Sequence, residues 1–463
     1  MSDYDFIVIG SGPAGQRAAI QAAKLGKKVA IIERKSEVGG VSLHTGTIPS
    51  KTLRESVLHL SGWRLRSFYG NSYRVKEDIT AQDILKRLHV TLEHEMEIMK
   101  HQLNRNSVKV LDGHARFVDE RQVSVTRADG SECRYSADFF LIAVGTRPHR
   151  PDHIPFDGRT ILDSDDILRI ETLPRSMTVV GGGVIGLEYA TIFSALDIEI
   201  TVIDAHDSLM PFLDKEIVDE LVYIMRDRNM TVLLGEKVVD ISTDDRERVV
   251  THLASGKRVV SGMALFAAGR QGATDQLAID KAGLDADARG RLSVNEHYQT
   301  EQPHIYAAGD VIGFPSLAST SMEQGRLAAC HAFGLPCYSR PEHFPFGIYS
   351  VPEISMVGAT EQDLKKQGIP YEVGAVRLRE TARGQIMGIS QGMLKMLFAI
   401  DDQRLLGVHI IGIGATEAIH IGQAVMSLGG KLDYFVDSVF NYPTLAEAYK
   451  VAALDAWNKL SLN

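Results

Sequence analysis

Three glycines near the start of the chain have the spacing of a loop that binds phosphate. Gly10, Gly12 and Gly15 form a G-x-G-x-x-G pattern directly after the apolar run 4–9, and the acid Glu33 ends the next apolar run. In a βαβ unit such glycines let the backbone approach a pyrophosphate at a helix N-terminus, and an acid about twenty residues further on binds a ribose. The strand, the helix and the acid together predict a dinucleotide site.

A second copy of the pattern lies in the middle of the chain. Gly181, Gly183 and Gly186 follow the apolar run 177–180, and Asp204 is the acid at the expected distance. A single glycine pattern is weak evidence, whereas two complete copies are strong evidence. Two dinucleotide sites in one chain indicate that electrons pass between the two bound molecules.

Composition restricts the function further. At about 150 residues per domain, the 463 residues predict about three domains. The net charge of -9 argues against nucleic-acid binding. Cys133, Cys330 and Cys337 fit no CxxC or zinc pattern, so we expect reduced cysteines, no metal site and a cytoplasmic location. The first strand leaves no room for a leader, and apolar stretches such as 405–413 are too short to span a membrane.

The elements around the first glycine pattern follow from apolar periodicity. We predict a helix over residues 12–25, a strand over 27–32 and helical structure over 50–103, with an amphipathic surface helix over 83–103. The short alternating runs that follow predict an antiparallel insertion made of residues 108–112, 115–118 and 122–126. Residues 139–144 then form a buried strand that a turn closes.

The second half of the chain repeats this organisation. Residues 266–270 mirror residues 143–147, so the second nucleotide unit ends as the first does, which indicates duplication of a fold. Residues 305–310 predict a strand that delivers Asp310 to a turn, and a helix follows over about 318–333. Beyond about residue 340 no glycine pattern appears, and strands such as 393–400 and 405–411 alternate with helices. We interpret Met387, Met393 and Met396 there as core residues.

The order of the motifs resembles the flavoprotein disulfide reductases, such as dihydrolipoamide dehydrogenase and glutathione reductase, over essentially the whole chain. The motifs are Gly10 to Gly15, Glu33, Gly39-Gly40, Ile48-Pro49-Ser50-Lys51, Gly181 to Gly186, Gly269-Arg270, Ala308-Gly309-Asp310 and Pro443-Thr444 through Glu447. The resemblance implies that the first glycine pattern binds FAD, that the second binds a nicotinamide nucleotide and that the C-terminal domain forms a homodimer. Assembly beyond a dimer is left open.

The fold class that follows is α/β, with two Rossmann-like domains and a C-terminal α+β dimerisation domain. We predict an FAD-binding domain over 1–147 with a return segment over 272–340, an NAD(P)-binding domain over 148–271 and an interface domain over 341–463.

One departure from the family pattern removes the redox disulfide. Where the family has G-G-x-C-x-x-x-x-C-I-P-S-K, Ser42 and Thr47 occupy the positions of both cysteines. Hydroxyls do not form a disulfide, so thiol exchange through this motif is excluded. We interpret Ser42 and Thr47 as residues that fill the space of the sulphurs. A hydrogen bond from Thr47 to flavin or nicotinamide is the alternative.

A second departure removes the base that serves the thiol. The family's His-Pro-Thr is Tyr442-Pro443-Thr444 here, and a tyrosine with a reference pKa of about 10 is a poor general base. Tyr442 either covers the flavin from the partner subunit or is an aromatic core residue.

Both departures together make the chain similar to the soluble pyridine nucleotide transhydrogenases. The resemblance implies a ping-pong reaction in which NADPH gives hydride to flavin N5 and leaves, after which NAD+ enters the same site and takes the hydride. One alternative is an NAD(P)H:quinone or dye reductase. The other is a non-catalytic flavoprotein whose C-terminal domain binds a protein partner.

The resemblance also assigns roles to single residues. Glu33 would bind the FAD ribose, Asp310 the ribityl chain or its phosphate, and Gly145 would lie in the FAD site. The helix start at 317–320 would face the flavin pyrimidine. Lys51 and Glu188 match positions that form an ion pair beside N5, where a cation favours negative charge on the ring.

The nicotinamide site carries a mixed signal for NADP(H). Asp204 suits a free ribose 2'-hydroxyl and repels a 2'-phosphate, while His206 stands where related enzymes often have arginine. We expect discrimination in favour of NADP(H) to be weak and to improve when His206 is protonated. Arg270 is a second candidate cation, although its position beside Gly269 favours a structural role.

Overall fold

A computed structural model describes residues 2–336 and 343–461 of the chain. Contacts between residues divide it into two compact units. The first comprises Met1–Thr52, Leu85–His149 and Gly269–Ser339. The second comprises Leu53–Ile84, Arg150–Ala268 and Arg340–Asn463.

The helices and strands are labelled in chain order. The α-helices are α1 (Pro13–Lys24), α2 (Gly40–His44), α3 (Thr47–Leu60), α4 (Arg66–Tyr69), α5 (Ala81–Arg105), α6 (Val184–Ser194), α7 (Lys215–Asp227), α8 (Ala318–Ala332), α9 (Glu361–Gln367), α10 (Ala382–Ile386), α11 (Ala415–Ser427), α12 (Leu432–Asp437) and α13 (Glu447–Ser461). The strands are β1 (Tyr4–Ile9), β2 (Val29–Glu33), β3 (Lys109–Asp112), β4 (His114–Asp119), β5 (Gln122–Thr126), β6 (Glu132–Ile142), β7 (Thr146–Pro148), β8 (Ile161–Asp163), β9 (Ser176–Val180), β10 (Glu199–Ile203), β11 (Thr231–Leu233), β12 (Val238–Thr243), β13 (Val249–Leu253), β14 (Arg258–Ser261), β15 (Met263–Phe266), β16 (Arg270–Gly272), β17 (Ile305–Ala307), β18 (Phe346–Ile348), β19 (Ile354–Gly358), β20 (Tyr371–Arg377), β21 (Met393–Ala399) and β22 (Leu405–Ile411).

The first unit is built on one sheet of order β3-β2-β1-β6-β5-β4, with β17 beside β6. Strands β3, β2, β1, β6 and β17 run parallel, and Val8 pairs with Ile31 on one side and with Leu141 on the other. Alternate residues of β1 enter different cores, since Phe6 and Val8 pack with α1 while Ile7 packs on the opposite face. This sheet holds both the first glycine loop and Glu33 at the carboxyl ends of its strands, where α/β folds bind ligands.

The antiparallel insertion is smaller than predicted. Strands β4, β5 and the first half of β6 are antiparallel, as expected, but β3 pairs parallel with β2. The prediction that residues 108–112 belong to the insertion was therefore wrong. Helix α5 carries the chain back along the sheet before β3 begins, and a strand that follows such a crossover enters parallel to its neighbour.

The second unit contains three sheets. A parallel sheet of order β11-β10-β9-β15-β8 carries α6 and repeats the β1-α1-β2 arrangement as β9-α6-β10. Strands β12, β13 and β14, which lie between β11 and β15 in the sequence, form an antiparallel sheet. The last sheet, of order β18-β19-β22-β21-β20, is antiparallel and packs against α11 and α13.

The core of the last sheet confirms the interpretation of the methionines. Every residue of β21 is buried, including Met393 and Met396, and Met387 packs on the same core. The strand predictions for 4–9 and 405–411 match the structure, and the helix predicted over 318–333 is α8. Within the described part of the chain, no helix has both the length and the apolar character that crossing a bilayer requires.

Candidate functional site

A groove in the first unit gathers most of the residues that the first glycine pattern predicted. The wall follows the ends of β1, β2 and β6, the start of α8 and the segment that carries α2. Among the lining residues are Gly10, Gly12, Glu33, Ser42, Thr47, Gly145, Thr146, Asp310 and Ser321.

The three glycines of the first pattern serve two purposes. A Cβ on Gly15 would overlap the carbonyl oxygen of Gly10, and one on Gly10 would overlap Ala143. A Cβ on Gly12 would meet no protein atom within 4 Å. Gly12 is also the N-cap of α1, and no side chain caps that helix. The free backbone N–H groups and the open space at Gly12 fit a phosphate group.

The second pattern repeats this geometry in the second unit. A Cβ on Gly186 would overlap the oxygen of Gly181, one on Gly181 would lie 2.9 Å from Ala267, and one on Gly183 would face open space. Gly183 is the N-cap of α6, and again no side chain caps the helix. The first, middle and last glycines therefore have matching surroundings in the two loops, as a duplicated dinucleotide site requires.

Glu33 is a buried acid at the end of β2 whose carboxylate the loop holds in place. Its Oε2 accepts hydrogen bonds from the backbone N of Ser11 at 3.0 Å and from Ser11 Oγ at 2.6 Å. Ser11 Oγ in turn accepts from the N of Gly39 at 2.9 Å. Ser11 was not predicted as a site residue, although it lies between two glycines of the pattern.

Asp204 holds the matching position at the end of β10. Its Oδ2 accepts from the N of Gly182, and its Oδ1 accepts from the N of His206 at 2.8 Å. The Nδ1 of the same histidine lies 2.7 Å from that Oδ1. The His206 side chain is 80 % exposed. The structure therefore brings the two predicted specificity residues together, with the imidazole against the acid.

Asp310 lies in the groove next to Thr146 and Arg270. Burial raises the pKa of Asp310, while the charge of Arg270 and a hydrogen bond from Thr146 Oγ1 at 3.4 Å oppose that shift. Arg270 donates to Thr146 Oγ1 at 2.7 Å and to the Thr146 carbonyl at 2.9 Å, and the carbonyl of Gly269 accepts from the N of His149. These bonds fit the structural role considered for Arg270.

The positions of the missing sulphurs line the same groove. Ser42 lies in α2, and Thr47 is the first residue of α3. Lys51 lies one turn further along α3 and donates to Ser50 Oγ at 3.2 Å. Hydroxyl groups thus stand where the disulfide reductase pattern would place two cysteines.

Glu188 and Tyr442 belong to the second unit. Glu188 is buried in α6, and its Oε1 accepts from the N of Tyr349 at 2.9 Å. The Tyr442 side chain is 77 % exposed, so the interpretation as a core aromatic is wrong. Cys133 is partly buried and Cys330 is buried, neither of them in a disulfide among the described residues, while Cys337 lies outside those residues.

Comparison with protein families gives two matches. The model described as pyridine nucleotide-disulphide oxidoreductase matches residues 4–325. The model described as pyridine nucleotide-disulphide oxidoreductase, dimerisation domain, matches residues 344–453.

Curated relatives match over nearly the full length. The soluble pyridine nucleotide transhydrogenase of Mycobacterium tuberculosis (strain ATCC 25177 / H37Ra) is 53% identical over 99% of this chain and 98% of its own. The protein of the same name from Escherichia coli O9:H4 (strain HS) is 44% identical over 99% of both chains.

Solved structures show the same fold. LpdA from Mycobacterium tuberculosis has a TM-score of 0.89 and 25% identity, and the match covers 97% of this chain and 99% of that one. The HOCl-induced flavoprotein disulfide reductase RclA from Escherichia coli has a TM-score of 0.86 and 26% identity, with 97% and 100% covered.

Proposed function

The chain belongs to the pyridine nucleotide-disulphide oxidoreductase family, and we propose that it is an FAD-dependent enzyme that transfers hydride between NADPH and NAD+. The observation that carries this proposal is the pair Ser42 and Thr47, because they put hydroxyls in place of sulphurs on the wall of the groove. Bound FAD supplies a reversible carrier of two electrons. With no dithiol at the groove to accept them, the natural acceptor is a second nicotinamide nucleotide, which the chain itself can bind.

The first glycine loop and the groove provide the FAD site of this proposal. The N–H groups at Gly12 and the start of α1 bind the pyrophosphate, and Glu33, fixed by Ser11, accepts the ribose hydroxyls. Gly145 and Asp310 line the same groove, and Asp310 would bind the ribityl chain or its phosphate. The start of α8 has no side-chain cap at Leu317, so its N–H groups and dipole remain available for an electron-rich ring edge.

The second glycine loop provides one nicotinamide site that serves both nucleotides in turn. Gly183 and the uncapped start of α6 bind the pyrophosphate, while Asp204 binds the adenosine ribose. Because a single loop binds both nucleotides, NADP+ must leave before NAD+ enters. The reaction is therefore ping-pong.

Lys51 and Glu188 are the pair that we assign to the reacting end of the site. The carboxylate of Glu188 is held by a hydrogen bond from the N of Tyr349. We propose that this carboxylate orients Lys51. The Lys51 ammonium contributes positive charge where negative charge develops during hydride transfer. Thr47 supplies a hydroxyl on the same helix.

The C-terminal domain makes the enzyme a homodimer in this proposal. The dimerisation-domain match spans residues 344–453 and includes the exposed Tyr442. We assign to Tyr442 a place over the partner's flavin, where an aromatic ring excludes water from the site. Reduced thiols at Cys133 and Cys330 agree with a cytoplasmic location.

An assay that contains no added thiol tests the proposal. The purified protein is expected to be yellow and to reduce thio-NAD+ with NADPH. Double-reciprocal plots against NADPH concentration, at several fixed thio-NAD+ concentrations, should give parallel lines. The variants Ser42→Ala and Thr47→Ala are expected to keep the rate within about threefold, because neither hydroxyl exchanges electrons.

The same preparation distinguishes the alternatives. If a quinone reoxidised the reduced enzyme much faster than NAD+ did, the protein would be a quinone or dye reductase. If NADPH failed to bleach the flavin absorbance, the protein would not be an oxidoreductase of this kind. Reduction of a disulfide substrate at the rate of a cysteine-bearing relative would also contradict the proposal.

A further inference from the structure

A second cavity lies wholly within the second unit, away from the glycine loops. Its volume is about 550 Å³, which is enough for a small organic molecule. Part of its wall is apolar, formed by the side chains of Leu58, Trp63, Met387, Ile389 and Ile413. Nothing in the proposed transhydrogenation uses this space.

Two of the arginines that line the cavity are already neutralised. Arg54 contacts Glu55 at 2.9 Å and Glu353 at 3.1 Å, and its Nε donates to the carbonyl of Ser350. Arg66 donates to both oxygens of Asp197, at 3.0 and 3.3 Å. These arginines hold the walls together and leave little charge for a ligand.

Arg228 is different because no carboxylate neutralises it. Its guanidinium lies 4.0 Å from the ring centre of Trp63, and its Nη1 donates to the carbonyl of Val351 at 2.6 Å. Among the residues that the structure describes, its other two nitrogens have no hydrogen-bond partner and it forms no ion pair. Arg228 is only partly buried, and neither of these nitrogens is fully enclosed by protein.

The surroundings of Arg228 disfavour its unneutralised charge. Burial lowers the pKa of Arg228 to about 9, with Asp227 opposing that shift and Arg66 adding to it. A guanidinium presents two parallel N–H groups that match a carboxylate. A carboxylate ligand would supply the counter-charge that the protein does not.

The acids at the cavity limit how much charge a ligand can carry. Asp227 lies at the wall, where it accepts a hydrogen bond from Gln391 Nε2 at 2.9 Å, and Glu199 also lines the cavity. These carboxylates would repel a ligand with several negative charges. The combination of one available guanidinium, nearby acids and apolar walls selects a molecule with one negative charge and an apolar body.

We propose that this cavity is a binding site for a small organic monoanion, whose carboxylate pairs with Arg228 and whose apolar body packs on Leu58, Met387 and Ile389. None of the described residues that line the cavity belongs to either glycine loop.

Tryptophan fluorescence provides a direct test, because the chain has only two tryptophans and one of them lies in the cavity. In a Trp457→Phe background, benzoate is added to the FAD-loaded enzyme and Trp63 emission is recorded. We expect a saturable change with benzoate and none with its neutral analogue benzamide. Arg228→Gln is expected to raise the benzoate concentration at half-saturation at least about tenfold. The matched control Arg226→Gln, at an exposed position in the last turn of α7, is expected to leave it unchanged.

Three results would overturn the inference. They are a response that rises linearly without saturation, an equal response to benzamide, and an equal loss of binding in Arg226→Gln. If Arg228→Gln does not fold, Arg228→Lys replaces it, because lysine retains the positive charge but lacks the paired N–H groups. Unchanged benzoate binding by folded Arg228→Lys would equally contradict the site.

Discussion

The glycines of each loop divide their work between folding and ligand approach, and the division can be read from single atoms. Gly12 and Gly183 have φ values of -67° and -77°, which any residue adopts, and open space where a Cβ would stand. Gly15 and Gly186 have no such space, because the oxygen of the first glycine lies there. The middle glycines are therefore required by a ligand, and the third glycines by the fold.

The middle glycines of the two loops predict different outcomes for their alanine variants. Gly12→Ala is expected to fold but to lose FAD, with affinity reduced at least about tenfold, because the added methyl meets the phosphate. Gly183→Ala, the matched change in the second loop, is expected to keep FAD and to raise KM for both nicotinamide nucleotides. Flavin absorbance after purification, circular dichroism and steady-state kinetics measure these effects. Loss of FAD from Gly183→Ala, or normal FAD content in Gly12→Ala, would contradict the assignment of the loops.

His206 predicts a charge effect on one nucleotide only. A positive charge at this position attracts the 2'-phosphate of NADPH, so His206→Arg is expected to lower KM for NADPH. KM for NADH should change little, because NADH has no 2'-phosphate. Initial rates with both nucleotides in the parent, in His206→Gln and in His206→Arg provide the test. An equal change of KM for NADPH and for NADH would remove this role for position 206.

At the scale of elements, a buried lysine joins two helix starts to the last sheet. Lys395 on β21 is fully buried and contacts Asp214 Oδ1 at 2.9 Å, Glu216 Oε2 at 3.0 Å and a carboxylate oxygen of Glu361. Asp214 is the N-cap of α7, and Glu361 begins α9. The three carboxylates lie close enough to bind a metal ion, but the Lys395 ammonium is the cation between them.

Removal of that cation leaves carboxylates without a counter-charge. Lys395→Met is expected to lower the free energy of unfolding by about 3–5 kcal/mol at pH 7, as measured by urea denaturation. Lys365→Met serves as the control, since Lys365 pairs with the same Glu361 from an exposed position and its loss should change stability little. Equal effects of the two variants would show that burial of Lys395 is unimportant.

The sign of the pH effect follows from Glu361. Burial raises the pKa of Glu361, but hydrogen bonds from Lys395 and Tyr371 prevail and lower it from 4.5 to about 2. A group whose pKa is lower in the folded state stabilises the fold above its unfolded pKa, and it loses that contribution as the pH falls through the folded pKa. The difference between the parent and Lys395→Met should therefore shrink between pH 4.5 and pH 2. A difference that grows with acid would contradict the ion-pair explanation.

At the scale of the whole molecule, the surface of the C-terminal domain exposes large apolar side chains. Val439 is 94 % exposed in the single chain, and Tyr442 nearby is 77 % exposed. Such a surface in the dimerisation-domain match indicates a face that a second copy covers.

This surface predicts a variant that separates the subunits. Val439→Asp would place a charge in the dimer interface and is expected to shift the protein from dimer to monomer in light scattering after gel filtration. Val260→Asp introduces the same charge at a 46 % exposed valine outside that domain and should leave the dimer intact. A dimer that survives Val439→Asp would locate the interface elsewhere.

The sequence predicted the parts of the fold that local patterns determine. The strand, glycine loop and acid of each dinucleotide site lie within about thirty residues, so periodicity and spacing suffice for them. The partner of β3 was missed because it depends on how α5 returns across the sheet. The hydrogen bonds from Ser11 to Glu33 and from Arg270 to Thr146 could not be predicted either, because side-chain partners depend on atomic positions that sequence spacing does not give.

The replacement of both sulphurs at the groove has a consequence for survival under stress. Peroxide, hypochlorous acid and alkylating agents attack thiolates, and enzymes that work through a reactive cysteine pair stop when that pair is oxidised. None of the described residues that line the groove contains sulphur, and Cys330 is shielded inside the protein. A cell under oxidant attack, with its thiol enzymes inactivated, would still be able to exchange reducing power between its two nicotinamide pools through this protein.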